Sequence, residues 1–580
     1  MCGIFCFISR TDSIEVGKNV LELCKCLLNN RGPNKSGRSI HGSDVVAYGS
    51  VLWQQGTVLC SQPIQNDRFV LLFNGDLYIV RNDPNVSDTQ WLFEKIVQSM
   101  ETDTLHELIT HLKGPFSMIL LDKKLGRVYF ARDSLGRNSL LLGQNDEGII
   151  ISSVLGKIIS FEIDEVPPNG IYYMDFLNNT MQRNLMPWID NVKEGCFLTI
   201  LNEKFINLSW FDNTTVHKVD FNYHRLLKNV DLPPENVFDM LLSNESISSM
   251  CEELIEFLSQ SVRERTTNTP PYCKQCIDTE ALCPHSRVGI LFSGGIDCTI
   301  IALLADQFVN QDIPIDLLNV AFERVVRCGN RKDEINWDVP DRLTGRATLK
   351  ELQSLRPQRK WQFVEIDVTR EELNNHRLKI SELVFPLKSV LDESLGAALW
   401  FASRGEGTLN EAVYKSQCRV LLVGSGADEL FGGYTRHRAA FYRNLNSKDH
   451  QHKDEEIELA FRNLAAELEH DWNRLPSRNL ARDDRMICDH GITPRAPYLQ
   501  EDFIAVVRSL KSYQKCYHPL GAGVGDKLTL RLCGYKLGLK TSPMLRKRAL
   551  QFGCRIADSK QNANDVSIFL NRQIKDSVPS

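Results

Sequence analysis

No apolar run in this sequence of 580 residues approaches the roughly 18 residues that a membrane-crossing helix needs, so no membrane partner is expected. The first ten residues carry no basic segment and no small-residue cleavage pattern, so no secretory leader is read there. A large excess of one charge is missing too: 68 Lys and Arg face 73 Asp and Glu, a net charge of −5. General binding to a phosphate backbone needs many unopposed cations, so no nucleic-acid partner is expected. Internal repeats are absent. The 17 cysteines are an odd number scattered along the chain, which fits buried thiols better than a disulfide framework. The expected compartment is the cytoplasm, with the nucleus open. What remains is an ordinary globular composition, 42% hydrophobic and 24% charged, in a chain long enough to divide into several cores.

The first 180 residues alternate short apolar runs with turn residues. Val45 to Trp53, Phe69 to Phe73, Phe116 to Leu121, Arg127 to Ala131, Ser139 to Leu142 and Gly148 to Ser152 are expected strands. Val16 to Asn29 and Thr89 to Met100 are expected helices, which together predict layered α+β packing. Little periodicity follows until Ser246 to Val262, where apolar residues recur at helical spacing. From Arg287 the pattern changes. Strands at Val288 to Phe292, Asp316 to Phe322, Trp361 to Val368 and Cys418 to Val423 alternate with helices such as Thr299 to Phe308 and Ser389 to Arg404. That alternation predicts a doubly wound parallel sheet. Lys448 to His470 is an expected surface helix, and the polar residues 561–580 are an expected flexible tail.

The sharpest motif is Ser293-Gly294-Gly295-Ile296-Asp297-Cys298, set between a strand and a helix. Two glycines let the backbone approach a phosphate closely, and the helix amides favour an anion. An aspartate inside a phosphate loop makes sense when a cation accompanies the phosphate, so Asp297 is a candidate Mg²⁺ contact. The loop lacks the lysine of the Walker pattern. A second glycine–acid cluster, Gly424-Ser425-Gly426-Ala427-Asp428-Glu429, also follows a strand. In a doubly wound sheet both loops would open on one crevice, where Asp297 and Asp428 share metal and phosphate oxygens.

These two loops and the N-terminal Met1-Cys2-Gly3-Ile4, in this order, resemble the glutamine-dependent asparagine synthetases. The resemblance covers about residues 1–180 and 287–555, and the runs at 339–347, 391–396 and 400–405 resemble one branch of that family. It implies an α+β class II glutamine amidotransferase domain, an αββα sandwich of the N-terminal-nucleophile type, over 1–185. A connecting region at 186–286 would lead to an α/β doubly wound ATP pyrophosphatase-type domain over 287–560. It further implies that Ser293, Gly294, Gly295, Asp297 and Cys298 hold the pyrophosphate end of ATP, with Gly426, Asp428 and Lys527 beside them and Val320 at the adenosine. Arg485 and Arg495 match a segment lining the same crevice. In the first domain, Asn74 and the Gly75 amide match the family's oxyanion donors, while Arg31 and Asp88 match its glutamine contacts.

Cys2 has its own logic. With Met1 removed, its thiol would sit beside a free α-amine titrating near pH 7.7–8.0, a built-in base for a nucleophile. Two departures stand out. Val51 occupies the position of the family arginine that clamps the glutamine carboxylate, and Ser425 replaces a family glutamate assigned an acid/base role. The segment Ser394 to Ala397 replaces the polar stretch expected near the aspartate substrate. Cys273-x₂-Cys276-x₆-Cys283-x-His285 carries zinc-ligand residue types, but the second spacing is not a finger spacing, and ordinary loop cysteines are the expectation. The reading is an ATP- and Mg²⁺-dependent amidotransferase using glutamine, with aspartate as the expected acceptor. The alternative is a nucleotide-binding paralogue that acts as an assembly protein. Protein partners and a homo-oligomer stay open.

Overall fold

The computed structural model describes residues 1–11, 13–78, 83, 85–158, 160–176, 182–188, 221–230, 232–326, 334–445, 453–557, 562 and 564–571. The first half holds β1 (Gly3–Ser9), β2 (Lys35–His41), β3 (Val45–Val51), β4 (Ile64–Gln65), β5 (Phe69–Gly75) and β6 (Phe116–Asp122). It continues with β7 (Arg127–Arg132), β8 (Leu141–Gln144), β9 (Gly148–Ser152), β10 (Glu162–Glu165), β11 (Gly170–Asp175) and β12 (Asn184–Pro187). They form two antiparallel sheets, ordered β10-β8-β9-β1-β3-β2 and β12-β11-β7-β6-β5-β4. Alternation along β1 explains the layering. Ile4, Cys6 and Ile8 enter the core between the sheets, with Leu72, Ile119 and Phe130 from the second sheet. Phe5 and Phe7 face the other way, against Val20, Leu21 and Leu28 of the helix Glu15–Arg31. The helix Asp88–Thr102 covers the outer face of the second sheet through Leu92, Phe93 and Ile96. The result is the expected αββα sandwich.

Apart from a separate hairpin of β15 (Arg324–Val326) and β16 (Glu334–Asn336), the second half is built on β13 (Val288–Leu291), β14 (Ile315–Phe322), β17 (Trp361–Val368), β18 (Glu406–Leu409), β19 (Ala412–Lys415), β20 (Val420–Leu422) and β21 (Thr493–Arg495). Their order is β19-β18-β17-β14-β13-β20-β21, and the five strands from β17 to β21 in that order run parallel. The strand order reverses between β13 and β20. A crevice therefore opens beyond their carboxyl ends, where ligands of such sheets bind. The helix Glu245–Thr267, in the segment expected to be a connection, packs into this half: Leu254, Leu258 and Val262 join its core. The charged helix is Asp454–Arg478, and residues 446–452 lie outside the described ones.

The end of the chain corrects the sequence reading. Residues 564–571 dock: Val566 bridges to Ser389, Leu570 is buried, and the Arg377 guanidinium lies over the Phe569 ring. Leu570 and Phe569 supply that anchor, while the side chains of Val566 and Ile568 stay exposed.

The two halves share buried ion pairs. Arg31 meets Asp484 at 2.8 Å, Asp76 meets Arg495 at 2.6 Å, and Arg137 meets Glu501 at 2.6 Å.

Candidate active site

At the end of β13 the chain turns through Gly294, whose φ is +77°. A Cβ there would stand 2.6 Å from the Gly345 nitrogen and the Thr344 carbonyl, so only glycine fits. Thr344 and Thr348 donate their hydroxyls to the Ser293 and Gly294 carbonyls at 2.8 and 2.9 Å and brace the loop. The helix Ile296–Ala305 starts here, with Asp297 in its first turn. Cys298 is buried and donates its thiol to the Gly295 carbonyl, so it shapes the loop from within. The second loop turns through Gly426 at φ +95° and places Asp428 in the first turn of Ala427–Phe431.

Lys527 joins the two loops. Its Nζ lies 2.6 and 2.7 Å from the Asp297 carboxylate oxygens and 2.8 Å from Asp428 Oδ1. Lys547 closes the group, 2.5 Å from Asp428 Oδ2. Burial alone would raise the Asp428 carboxyl, but the two ammonium groups outweigh it and hold it well below the usual range. Glu429 shows the reverse: burial and the adjacent Asp428 push its carboxyl up, and the Tyr434 hydroxyl donates to it at 2.7 Å. The donor set of two carboxylates with lysines alongside suits Mg²⁺ and phosphate together, since hard oxygen ligands take the cation and the lysines take the anion. Val320, at the carboxyl end of β14, lines the same cavity.

Cys2 lies just before β1 and is buried. Its Sγ accepts from Gln62 Nε2 at 3.4 Å. Burial pushes its thiol up, and the nearby amino terminus opposes that. The Met1 amine reaches across to β21 and donates to Thr493 Oγ1 at 3.1 Å. Arg31 donates Nε to the Cys2 carbonyl at 3.3 Å and Nη2 to Asp484, which leaves its buried Nη1 without a partner. Asn74 donates Nδ2 to Ser117 Oγ at 3.1 Å, and its buried Oδ1 also lacks a partner. Gly75 ends β5 beside it. Asp88 opens the helix Asp88–Thr102 and accepts from the Leu77 and Thr89 amides at 3.2 and 2.7 Å. Val51 is buried in the core between the sheets with Cys2 and Ile4 and offers no side-chain polar atom.

A cavity of about 620 Å³ opens at the phosphate loops and reaches the boundary with the first half. Its wall includes Tyr78, Arg137 and Asn138 from the first half and Ser293, Asp297 and Asp428 from the second. Leu391, Leu395 and Leu399 form an apolar stretch of that wall, where the sequence departs from the family's polar segment. Arg485 is not on this wall. It is turned to Glu165 at 2.8 Å and Ser139 at 2.9 Å, and Arg495 is held by Asp76. The reading of Arg485 as a crevice residue is corrected accordingly, whereas Arg495 does line the cavity; each guanidinium meets a carboxylate at the domain boundary. Sequence reasoning missed Lys547 and Glu429. The basic run Arg546-Lys547-Arg548 was the available signal for the first.

The sequence matches a glutamine amidotransferase domain model over residues 1–211 and an asparagine synthase model over residues 282–531. It is 39% identical to an asparagine synthetase domain-containing protein of Drosophila melanogaster, over 98% of this chain and the whole of that protein. Asparagine synthetase domain-containing protein 1 of Mus musculus is 34% identical over 98% of each chain. Asparagine synthetase B of Escherichia coli is 22% identical over 92% of this chain and 79% of its own.

Proposed function

Because the chain belongs to the family of asparagine synthetase domain-containing proteins, we propose that it is an ATP-driven amidotransferase that converts a carboxylate, with aspartate the expected acceptor, to its amide. The observation that carries this reading is the array Asp297–Lys527–Asp428–Lys547 at the crevice where the strand order reverses. The glycine loop offers backbone amides to the pyrophosphate, and Lys527 and Lys547 turn from carboxylate to phosphate oxygens as they arrive. Asp297 and Asp428 would hold Mg²⁺, which supplies positive charge to the leaving pyrophosphate. The acceptor carboxylate attacks the α-phosphate, pyrophosphate leaves, and ammonia then displaces AMP from the activated carboxyl.

Cys2, freed of Met1, would attack the glutamine side-chain amide, with its own amine taking the thiol proton. The Gly75 amide, with Asn74 Nδ2 once it leaves Ser117, would stabilise the oxyanion. Arg31 Nη1 and Asn74 Oδ1 support this reading, since a buried donor and a buried acceptor without partners suit a ligand with a carboxylate and an amide. Val51, the Asp76–Arg495 pair and the apolar wall favour a second reading, a nucleotide-binding assembly protein with a weakened glutaminase.

Purified full-length protein with ATP, Mg²⁺, aspartate and either glutamine or ammonium separates the two. Pyrophosphate, AMP and asparagine in equal amounts support the enzyme. ATP binding without AMP release supports the second reading. Intact-mass analysis should show a chain starting at Cys2 with an unmodified amine; a retained Met1 would rule out the amine-assisted nucleophile.

A further inference from the structure

We propose that Cys273, Cys276, Cys283 and His285 form a structural zinc site that pins the segment before β13 across the domain boundary. The sequence spacing argues against a finger, but the fold brings the four ligand atoms within 4.8 Å of one another. No other cluster of this kind occurs among the described residues. Cys273 Sγ lies 3.4 Å from His285 Nδ1, and Cys276 Sγ lies 3.9 Å from it. A tetrahedral ion with Zn–S of about 2.3 Å and Zn–N of about 2.0 Å separates sulfur from nitrogen by about 3.6 Å. These distances bracket that value. None of the four ligand residues is fully exposed, and the three cysteines are free thiols. Three thiolates and one imidazole are a closed, soft ligand set with no position left for water, which is the pattern of a structural site. Each thiol that binds gives its proton to solvent.

The surroundings show what such an ion would hold. The Cys276 amide donates to the Cys273 carbonyl at 3.2 Å and the Ala281 amide to the Cys276 carbonyl, so the first two ligands sit on one tight turn. On one side of the ligands, Tyr272 packs on Trp53 with ring centroids 6.1 Å apart, and Thr269 donates to Gln54. On the other, the Lys274 amide donates to the Gln417 carbonyl at 2.9 Å, just before β20. Trp53 and Gln54 lie just beyond β3, so the pinned segment ties the chain after Val51 to the start of β20, the strand that leads into the second phosphate loop.

The test starts from the wild-type full chain, purified without chelator and analysed for metal by mass spectrometry. One zinc per chain is expected, released when a mercurial titrates the thiols. Protein grown with Co²⁺ in place of Zn²⁺ should show the visible d–d bands of a tetrahedral ion and a thiolate charge-transfer band. Cys276→Ser and His285→Ala should each lose most of the zinc while wild type keeps it. Zinc-free wild type with no cobalt spectrum would overturn the site. So would a disulfide among these cysteines by intact mass, or full zinc retention in both variants. If the variants do not fold, the wild-type zinc content and cobalt spectrum decide alone.

Discussion

The two candidate sites treat their charges in opposite ways. At the amidotransferase end, Arg31 and Asp484 are each 1% exposed, and Asp76 and Arg495 are fully buried. At the phosphate site, Asp297 and Asp428 are 18% and 12% exposed and Lys547 is 22% exposed, while Lys527 beneath them is 1% exposed. A pair sealed in a low dielectric cannot release a partner to a ligand without leaving a bare charge. A pair on a cavity wall can exchange its partner for a phosphate oxygen. The first arrangement joins the domains, and the second leaves cations to offer. Cys2 thus sits among charges largely committed to assembly, with Arg31 Nη1 as the donor left over.

The largest effect should come from breaking a sealed pair. Arg495→Ala strands the Asp76 carboxylate and should cost about 3–5 kcal/mol of stability in denaturant unfolding. Adding Asp76→Asn should recover much of that loss. A cost under about 1 kcal/mol for Arg495→Ala, the size of a surface pair, would show that the boundary is wet and the contrast false.

At the phosphate site, Lys527→Met should weaken ATP·Mg²⁺ and also lower stability, because Asp297 loses its buried partner and Asp428 keeps only Lys547. A hydrogen bond to a charged group is worth about 1.5–3 kcal/mol, or on the order of 10- to 150-fold in affinity. Calorimetry on both proteins reads this directly. Unchanged affinity would move the nucleotide elsewhere.

Much of the phosphate end was legible because its pieces are local. Each loop lies directly after an apolar strand, so glycines and acids within six residues announce the chemistry. The strand order that joins β13 and β20 follows from alternating strands and helices. The boundary was not legible. Arg31 and Asp484 are 453 residues apart and Asp76 and Arg495 are 419 apart, and no local pattern pairs them. β2 was missed because it is a polar edge strand, Lys35–His41, with few apolar residues to alternate. The docked residues 564–571 were missed because four apolar side chains in a polar stretch carry little periodicity.

A smaller effect lies in pH. Lys527 and Lys547 depress the Asp428 carboxyl. Its stabilising contribution is therefore complete above the ordinary carboxylate value of about 3.9 and lost only as pH falls through the lower folded value. The difference in unfolding free energy between wild type and Asp428→Asn should stay flat from about pH 8 to pH 5 and shrink below about pH 4. A difference that shrinks already between about pH 7 and 5 would mean that the lysines do not hold this carboxylate low.

The smallest change sharpens the comparison most. Removing one partner of a buried charge pair costs roughly 2–5 kcal/mol, on the order of 30- to several-thousand-fold in affinity. If Val51 truly replaces the clamp, glutamine should serve poorly and ammonium should be the better nitrogen source. Val51→Arg should then lower the glutamine KM by part of that range. It should also cost stability, because the side chain leaves a core shared with Cys2 and Ile4 and a guanidinium is poorly tolerated there. A lower KM together with a lower unfolding midpoint is thus the expected signature. A lost midpoint with no change in KM would mean that Val51 faces the core only. A wild-type KM already in the micromolar-to-millimolar range usual for enzymes would point to Arg31, whose Nη1 is buried, unpaired and carried by the guanidinium that donates to the Cys2 carbonyl. Arg31→Lys would then decide it. The lysine keeps a charge opposite Asp484 but lacks the planar fork that reaches the Cys2 carbonyl through Nε and presents Nη1 separately, so the fold should survive and glutamine affinity should fall.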